Sequence, residues 1–401
     1  MLHLPRVPAV HLASFETLLS QLVAIPSVSS PQADWDQSNV AVVELLASWF
    51  EQLGFSTEIM AASPSGDKAN LIATLGQGDG GLVLSGHTDT VPFDANRWQT
   101  DPFSLQSSQG RFYGLGTCDM KGFFPIIVEA LRQLNGAELS QPLIVLATAD
   151  EESSMAGARA LAKSGRRLGR AAVIGEPTSI RPVRMHKGIM MERLSVTGQA
   201  GHSSNPSLGN NAIEGMTQML SALREIRSEW QSKYRNPLFD VAAPTLNLGR
   251  IHGGDSPNRI CGHCELSFDI RPLPGMDCEQ LHDEIGARLG KLAHGLGLNI
   301  ELEPLIDAVE PFETSHDAEL VRIAERFTGQ ASEAVAFATE APWLKSMGME
   351  TIVMGAGSID QAHQPNEYLA HDQVAPMADV LSRLIRHYCV DVSALTRDRT
   401  N

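Results

Sequence analysis

Four short apolar runs, each followed by an imidazole or a carboxylate, constrain this chain more than any other feature. Leu82-Val83-Leu84 leads to Ser85-Gly86-His87-Thr88-Asp89, and Leu143–Leu146 leads to Ala149-Asp150-Glu151-Glu152. Ala171–Ile174 leads to Gly175-Glu176-Pro177, and Thr351–Met354 leads through Gly355-Ala356-Gly357 to His363. Helical patterns near 122–134, 155–164 and 317–328 alternate with these runs, after amphipathic helices at 14–24 and 37–53. Apolar runs of strand length with flanking glycine predict the buried strands of an α/β sheet.

The texture changes between 182 and 305. A strand pattern at 189–197 precedes a helix near 210–230, then strands near 245–251 and 260–270, a helix near 277–295 and a strand near 298–304. The order βαββαβ is the ferredoxin-like arrangement. Because the α/β theme resumes afterwards, the expected organisation is a catalytic domain from 1–181 and 306–401, interrupted by a smaller domain at 182–305. A chain of 401 residues is long enough for two domains.

In open α/β sheets ligands bind at the carboxyl ends of the strands. Four strands here deliver His87, Glu151 with Glu152, Glu176 and His363 to that edge, and Asp119 arrives in Gly114-Leu115-Gly116-Thr117-Cys118-Asp119, ahead of a helix. Taken singly, each has an ordinary reading as a strand-end histidine or a helix cap. Together, the carboxylates would repel one another and suffer desolvation unless cations neutralise them. Two divalent ions held by two imidazoles and three carboxylates meet that need, with Asp119 as the bridge. Such ligands suit zinc, with cobalt or manganese also admissible.

Asp89 lies two residues after His87, so in extended chain both side chains project to one side, and its carboxylate could fix the imidazole tautomer. A solvent-facing turn is the alternative. Glu151 and Glu152 are neighbours that point different ways. If Glu152 ligates a metal, Glu151 is left to act as general base on the attacking water; otherwise it caps the following helix.

Other classes fit poorly. With 31 basic against 47 acidic residues, the formal charge is −16, which disfavours nucleic acid and anionic membrane as partners. No apolar run of 18 residues exists, the N-terminus lacks a secretory pattern, and five cysteines suit a reducing cytoplasm. Gly114-x-Gly116 lacks the third glycine of a dinucleotide fingerprint, and no G-x-S-x-G occurs. Cys118 could serve as a nucleophile, but that would leave five metal-type residues unexplained. Cys261-x-x-Cys264 is a single pair, and strand alternation places Cys261 on the face opposite Cys264, so a zinc ribbon is not expected.

The motifs GHTDTVP, GLGTCDMKG, ATADEESSMAG, IGEPT, GHSSNP and GSIDQAHQPNEYL together resemble the M20 family of co-catalytic zinc peptidases and deacylases, in order and over nearly the whole chain. The resemblance implies a mixed-sheet, metallopeptidase-like catalytic domain with an inserted ferredoxin-like α+β dimerisation (lid) domain, and a homodimer formed through that lid. It implies that His87 and Glu176 hold one ion, Glu152 and His363 the other, with Asp119 bridging. Glu151 would be the base and Asp89 the residue orienting His87. His202 would reach a second subunit's active site to stabilise the oxyanion, and Asn258 and Arg271 would bind the substrate's carboxylate. For Arg271 an interface ion pair is the alternative.

The stretches around 247–276 and FATEAPW imply the branch that cleaves the acetyl amide of N-acetylornithine in arginine biosynthesis. Succinyl-diaminopimelate desuccinylation, general aminoacylase and dipeptidase activity remain the sister alternatives, and a non-catalytic binder of amino acid derivatives a more distant one. Glu340, in Ala338-Thr339-Glu340-Ala341, is expected either to pair with the substrate's δ-ammonium or simply to begin a helix.

Overall fold

The computed structural model describes residues 4–390, which form two compact units. The first comprises residues up to Arg184, Thr314–Ser332 and the chain from Trp343 onward; the second comprises Met185–Glu313 and Glu333–Pro342.

In the first unit the sheet order is Ser56–Ala61, Ala69–Leu75, Leu143–Thr148, Leu82–His87, Ala171–Pro177 and Glu350–Gly355. The first two pairings are antiparallel and the next three parallel. The four parallel strands are the four apolar runs. Leu82–His87, Leu143–Thr148 and Ala171–Pro177 are buried at every residue, as expected where helices cover both faces. The helix Phe123–Arg132 buries Phe123, Phe124, Ile126 and Ile127 in the same core as Met377, Leu381 and Leu384 of the helix His371–Cys389. Gly175 is required by this packing: a Cβ there would lie 2.1 Å from Cγ of Phe123.

Register explains why the strand ends meet. Leu82 pairs with both Leu143 and Ala171, and Glu350 pairs with Ala171. Strands that start level and run parallel also finish level, so His87 lies opposite Thr148 and Pro177 beside Gly355.

The second unit carries an antiparallel sheet in the order Thr245–Gly253, His263–Arg271, Met190–Thr197, Asn299–Pro304. Its helices are Ala212–Lys233 and Cys278–Gly295, giving the ferredoxin-like order. The first helix begins where Asn211 accepts the Ile213 N–H at 3.0 Å, and it buries Met216, Met219, Leu223, Ile226 and Trp230 at helical spacing. In His263–Arg271 the alternate residues Cys264, Leu266, Phe268 and Ile270 join them in the core.

The expected limits, 182–305 inside 1–181 and 306–401, differ from these units. Residues 306–313 and 333–342 group with the second unit, because Val309 bridges Ile189 and the Lys187 N–H donates to Val335 O at 3.3 Å. Cys261 also departs from expectation. The strand starts only at His263, so alternation does not reach Cys261, which is buried in the same core as Cys264. Neither cysteine belongs to a metal-type cluster among the described residues. No helix among them is long and apolar enough to cross a membrane.

Candidate metal centre

His87 ends its strand with a fully buried side chain. Its Nδ1 lies 3.0 Å from the backbone carbonyl of Asp89, to which it can donate, leaving Nε2 as the free electron pair. Nε2 faces Asp119 Oδ1 at 3.0 Å and Glu176 Oε1 at 3.7 Å. The other oxygen of Asp119 lies 3.4 Å from Nε2 of His363, which in turn is 3.0 Å from Glu152 Oε2. Asp119 thus turns one oxygen to each imidazole, the disposition a bridging carboxylate requires. Candidate ligand atoms of His87, Asp119 and Glu152 lie within 4.8 Å of one another, as do those of His87, Glu151 and Glu176.

Asp89 acts differently from the sequence expectation. Its carboxylate is 3.6 Å from His87 Nδ1, while its own carbonyl takes the closer position. The two carboxylate oxygens accept the backbone N–H groups of Glu151 at 3.2 Å and Glu152 at 3.0 Å. A side chain that could reach the ring is better used on two amides that a tight turn leaves without helical or strand partners.

Five buried or nearly buried carboxylates, Asp89, Asp119, Glu151, Glu152 and Glu176, share this edge with two imidazoles. Even doubly protonated imidazoles leave a deficit of three positive charges (5 − 2). The proton affinities register it. Burial, reinforced by Glu176, Glu152 and Asp89, holds the Glu151 carboxyl well above its ordinary range. Burial and Asp119 raise Glu152. Hydrogen bonding to Asp119 and Glu152 lifts His363 to about 10. Burial opposes ionisation of Asp119, but His363 and His87 outweigh it and hold the group well below the usual carboxylate range. Divalent cations would supply the missing charge without protons, and a mixed imidazole and carboxylate donor set fits them.

One residue here was not singled out from sequence. Glu367 is buried and accepts three backbone N–H groups, from Gly116 at 3.0 Å, Cys118 at 2.7 Å and Asp119 at 3.0 Å. It therefore holds the loop that presents Asp119. Burial and the nearby Asp119 push it up to about 8. Its signal lay in the PNEYL segment just after His363. Cys118, beside the bridge, is buried and its thiol is pushed well up by burial, so it is no ready thiolate nucleophile.

The remaining expected residues belong to the second unit. His202 is exposed and lies in a two-residue strand paired with Arg259–Ile260. Its Nδ1 accepts the Ser204 N–H at 3.2 Å, which leaves Nε2 as the donor. The Ser256 hydroxyl lies 2.6 Å from Asn258 Oδ1, and Arg271 donates through Nε to Asp269 at 3.1 Å. Glu340 is buried immediately before the short helix Ala341–Ser346.

Residues 83–387 match the model of peptidase family M20/M25/M40. The acetylornithine deacetylase of Pasteurella multocida is 47% identical, covering 94% of this chain and 98% of its own length. That of Vibrio campbellii is 46% identical, covering 95% of this chain and 100% of its own length. Among solved structures, the aminopeptidase PepT of Bacillus cereus superposes with a TM-score of 0.73 at 19% identity, covering 92% of this chain and 97% of its own. Bacillus subtilis YXEP, a dinuclear metal binding peptidase from the M20 family, gives 0.64 at 16% identity, with coverages of 92% and 97%. These distant structures share the fold.

Proposed function

The chain belongs to peptidase family M20/M25/M40, and from that membership we propose that it hydrolyses the acetyl amide of N2-acetyl-L-ornithine to L-ornithine and acetate. The near-full-length similarity to acetylornithine deacetylases carries the substrate. The clustering of His87, Asp119, Glu152, Glu176 and His363 supports metal-dependent chemistry.

His87 and Glu176 would hold one divalent ion and Glu152 and His363 the other, with Asp119 shared; zinc is the first candidate and cobalt or manganese fit the same donors. Two such ions, when bound, polarise the acyl carbonyl and bring the pKa of a water toward neutrality. Glu151, buried beside His87 and Glu176, would act as its carboxylate, taking a proton from the attacking water and returning it to the departing α-amine. Asp89 keeps this base in place through the amides of Glu151 and Glu152. Across the proposed dimer, His202 of one subunit offers its Nε2–H to the tetrahedral oxyanion in the other subunit's site. Arg271 and Asn258 bind the substrate carboxylate, for which a guanidinium suits bidentate pairing.

In this reading the second unit is the dimerisation lid, the enzyme is a cytoplasmic homodimer, and the ornithine it releases enters arginine biosynthesis. Chromatography of a reaction of zinc-loaded protein with N2-acetyl-L-ornithine should yield equimolar ornithine and acetate. Products from N-succinyl-diaminopimelate alone would instead place the chain in a sister branch.

Glu340 is proposed to pair with the δ-ammonium. A charge-assisted hydrogen bond of this kind contributes about 1.5–3 kcal/mol. Glu340→Gln should therefore lower kcat/KM for N-acetylornithine about 10- to 100-fold while changing that for N-acetylmethionine far less. Equal losses on both substrates would reduce Glu340 to a helix-start residue.

A further inference from the structure

The side chain of Lys68 is nearly fully buried, lies outside the metal cluster and takes no part in the mechanism above. Its ammonium sits 2.7 Å from Asp150 Oδ1 and 2.8 Å from Asp36 Oδ1. Ser29 Oγ also donates to Asp150 Oδ1 at 3.0 Å and contacts the Ser153 hydroxyl. Asp150 precedes the Glu151–Glu152 pair and has a φ of +56°, in the left-handed region. A non-glycine residue keeps that conformation where its surroundings over-determine it.

We propose that Lys68 is a positioning residue for the general base, acting through Asp150. The turn that carries Glu151 is fixed at two places. Asp89 holds the amides of Glu151 and Glu152 from one side. Lys68 and Ser29 hold the Asp150 side chain from the other, and the Asp150 carbonyl accepts the Ser154 N–H at 3.1 Å. Asp89 engages only backbone amides of the turn, whereas Lys68 and Ser29 engage the Asp150 side chain, so the Lys68 bridge is the turn's ionic anchor. Burying an ammonium is costly unless it is paired, so an apolar residue would serve packing equally well. The cation is placed where a carboxylate must be kept still, since a base displaced by about 1 Å can lose on the order of 100-fold in rate.

The inference rests on the proposed hydrolysis. The test uses full-length zinc-loaded protein and the variants Lys68→Met, Asp150→Asn and their combination, read by kcat, KM, bound zinc and thermal unfolding. Asparagine tolerates the left-handed conformation, so Asp150→Asn removes the ionic anchor without forbidding the turn. Lys68→Met should lower kcat about 10- to 100-fold and change KM much less. Adding it to Asp150→Asn should cause no further loss, because both act through one contact. If Lys68→Met fails to fold, Lys68→Gln carries the same comparison. A lowered melting temperature with kcat within twofold of wild type overturns the inference, as do independent, multiplying effects of the two substitutions. An inactive wild-type protein with zinc bound would overturn the hydrolase reading itself, whereas an active wild type with an unimpaired Lys68→Met overturns only this one.

Discussion

Glu151→Ala is expected to lower kcat on N-acetylornithine by about 10²- to 10⁴-fold, the usual contribution of a positioned acid–base group, with bound metal unchanged. Glu151 is buried beside Glu176, Glu152 and Asp89, and burial first, then these charges, hold its carboxyl well above the ordinary range while the site lacks cations. Alanine removes one carboxylate and its negative charge, but neither imidazole nor Asp119, which faces both of them. Turnover and zinc content measured on the same sample separate the roles. Loss of one zinc equivalent along with activity would make Glu151 a ligand, a role its place near His87 and Glu176 permits. Unchanged turnover would exclude it from the chemistry.

Removing the metals should abolish turnover and also lower the melting temperature increasingly as pH rises from 5 to 8. Glu151, Glu152 and His363 hold their protons more tightly in the folded protein than in the unfolded chain. The stability they carry is complete at low pH and is lost as the pH climbs through their folded-state values, about 10 for His363. Asp119 is shifted the other way, so its contribution is already present above the ordinary aspartate range and does not change across this window. The metal-free protein must therefore face growing carboxylate repulsion. Bound cations replace the protons, and ligand at 100 times its dissociation constant adds about 2.7 kcal/mol. Thermal unfolding of chelated and zinc-restored protein across that pH range measures the difference. Identical curves would mean that the cluster does not bind metal.

Much of the centre was legible because buried parallel strands read as continuous apolar runs, and their ends announce what they carry. The edge strand Ser56–Ala61 was not, since most of its residues are exposed and its first half, Ser56-Thr57-Glu58, is polar. The helix His371–Cys389 was hidden by Pro376, which in a sequence reads as a break. Long-range pairings are not written in local sequence, even where a partner sits in a recognisable motif. Glu367 meets Cys118 and Asp119 across about 250 positions, and Asp89 meets the amides of Glu151 and Glu152 across more than 60. The spacing from His87 to Asp89 suggested a side-chain contact that the Asp89 carbonyl makes instead.

The most direct test of the two-metal deacetylase account is kcat/KM of zinc- and cobalt-loaded protein on N-acetylornithine, N-acetylmethionine, N-succinyl-diaminopimelate and a neutral dipeptide, with bound metal determined in parallel. The account predicts two metal equivalents per chain and a clear preference for N-acetylornithine. Two bound metals with no turnover of any member, or turnover that survives complete removal of metal, would contradict it.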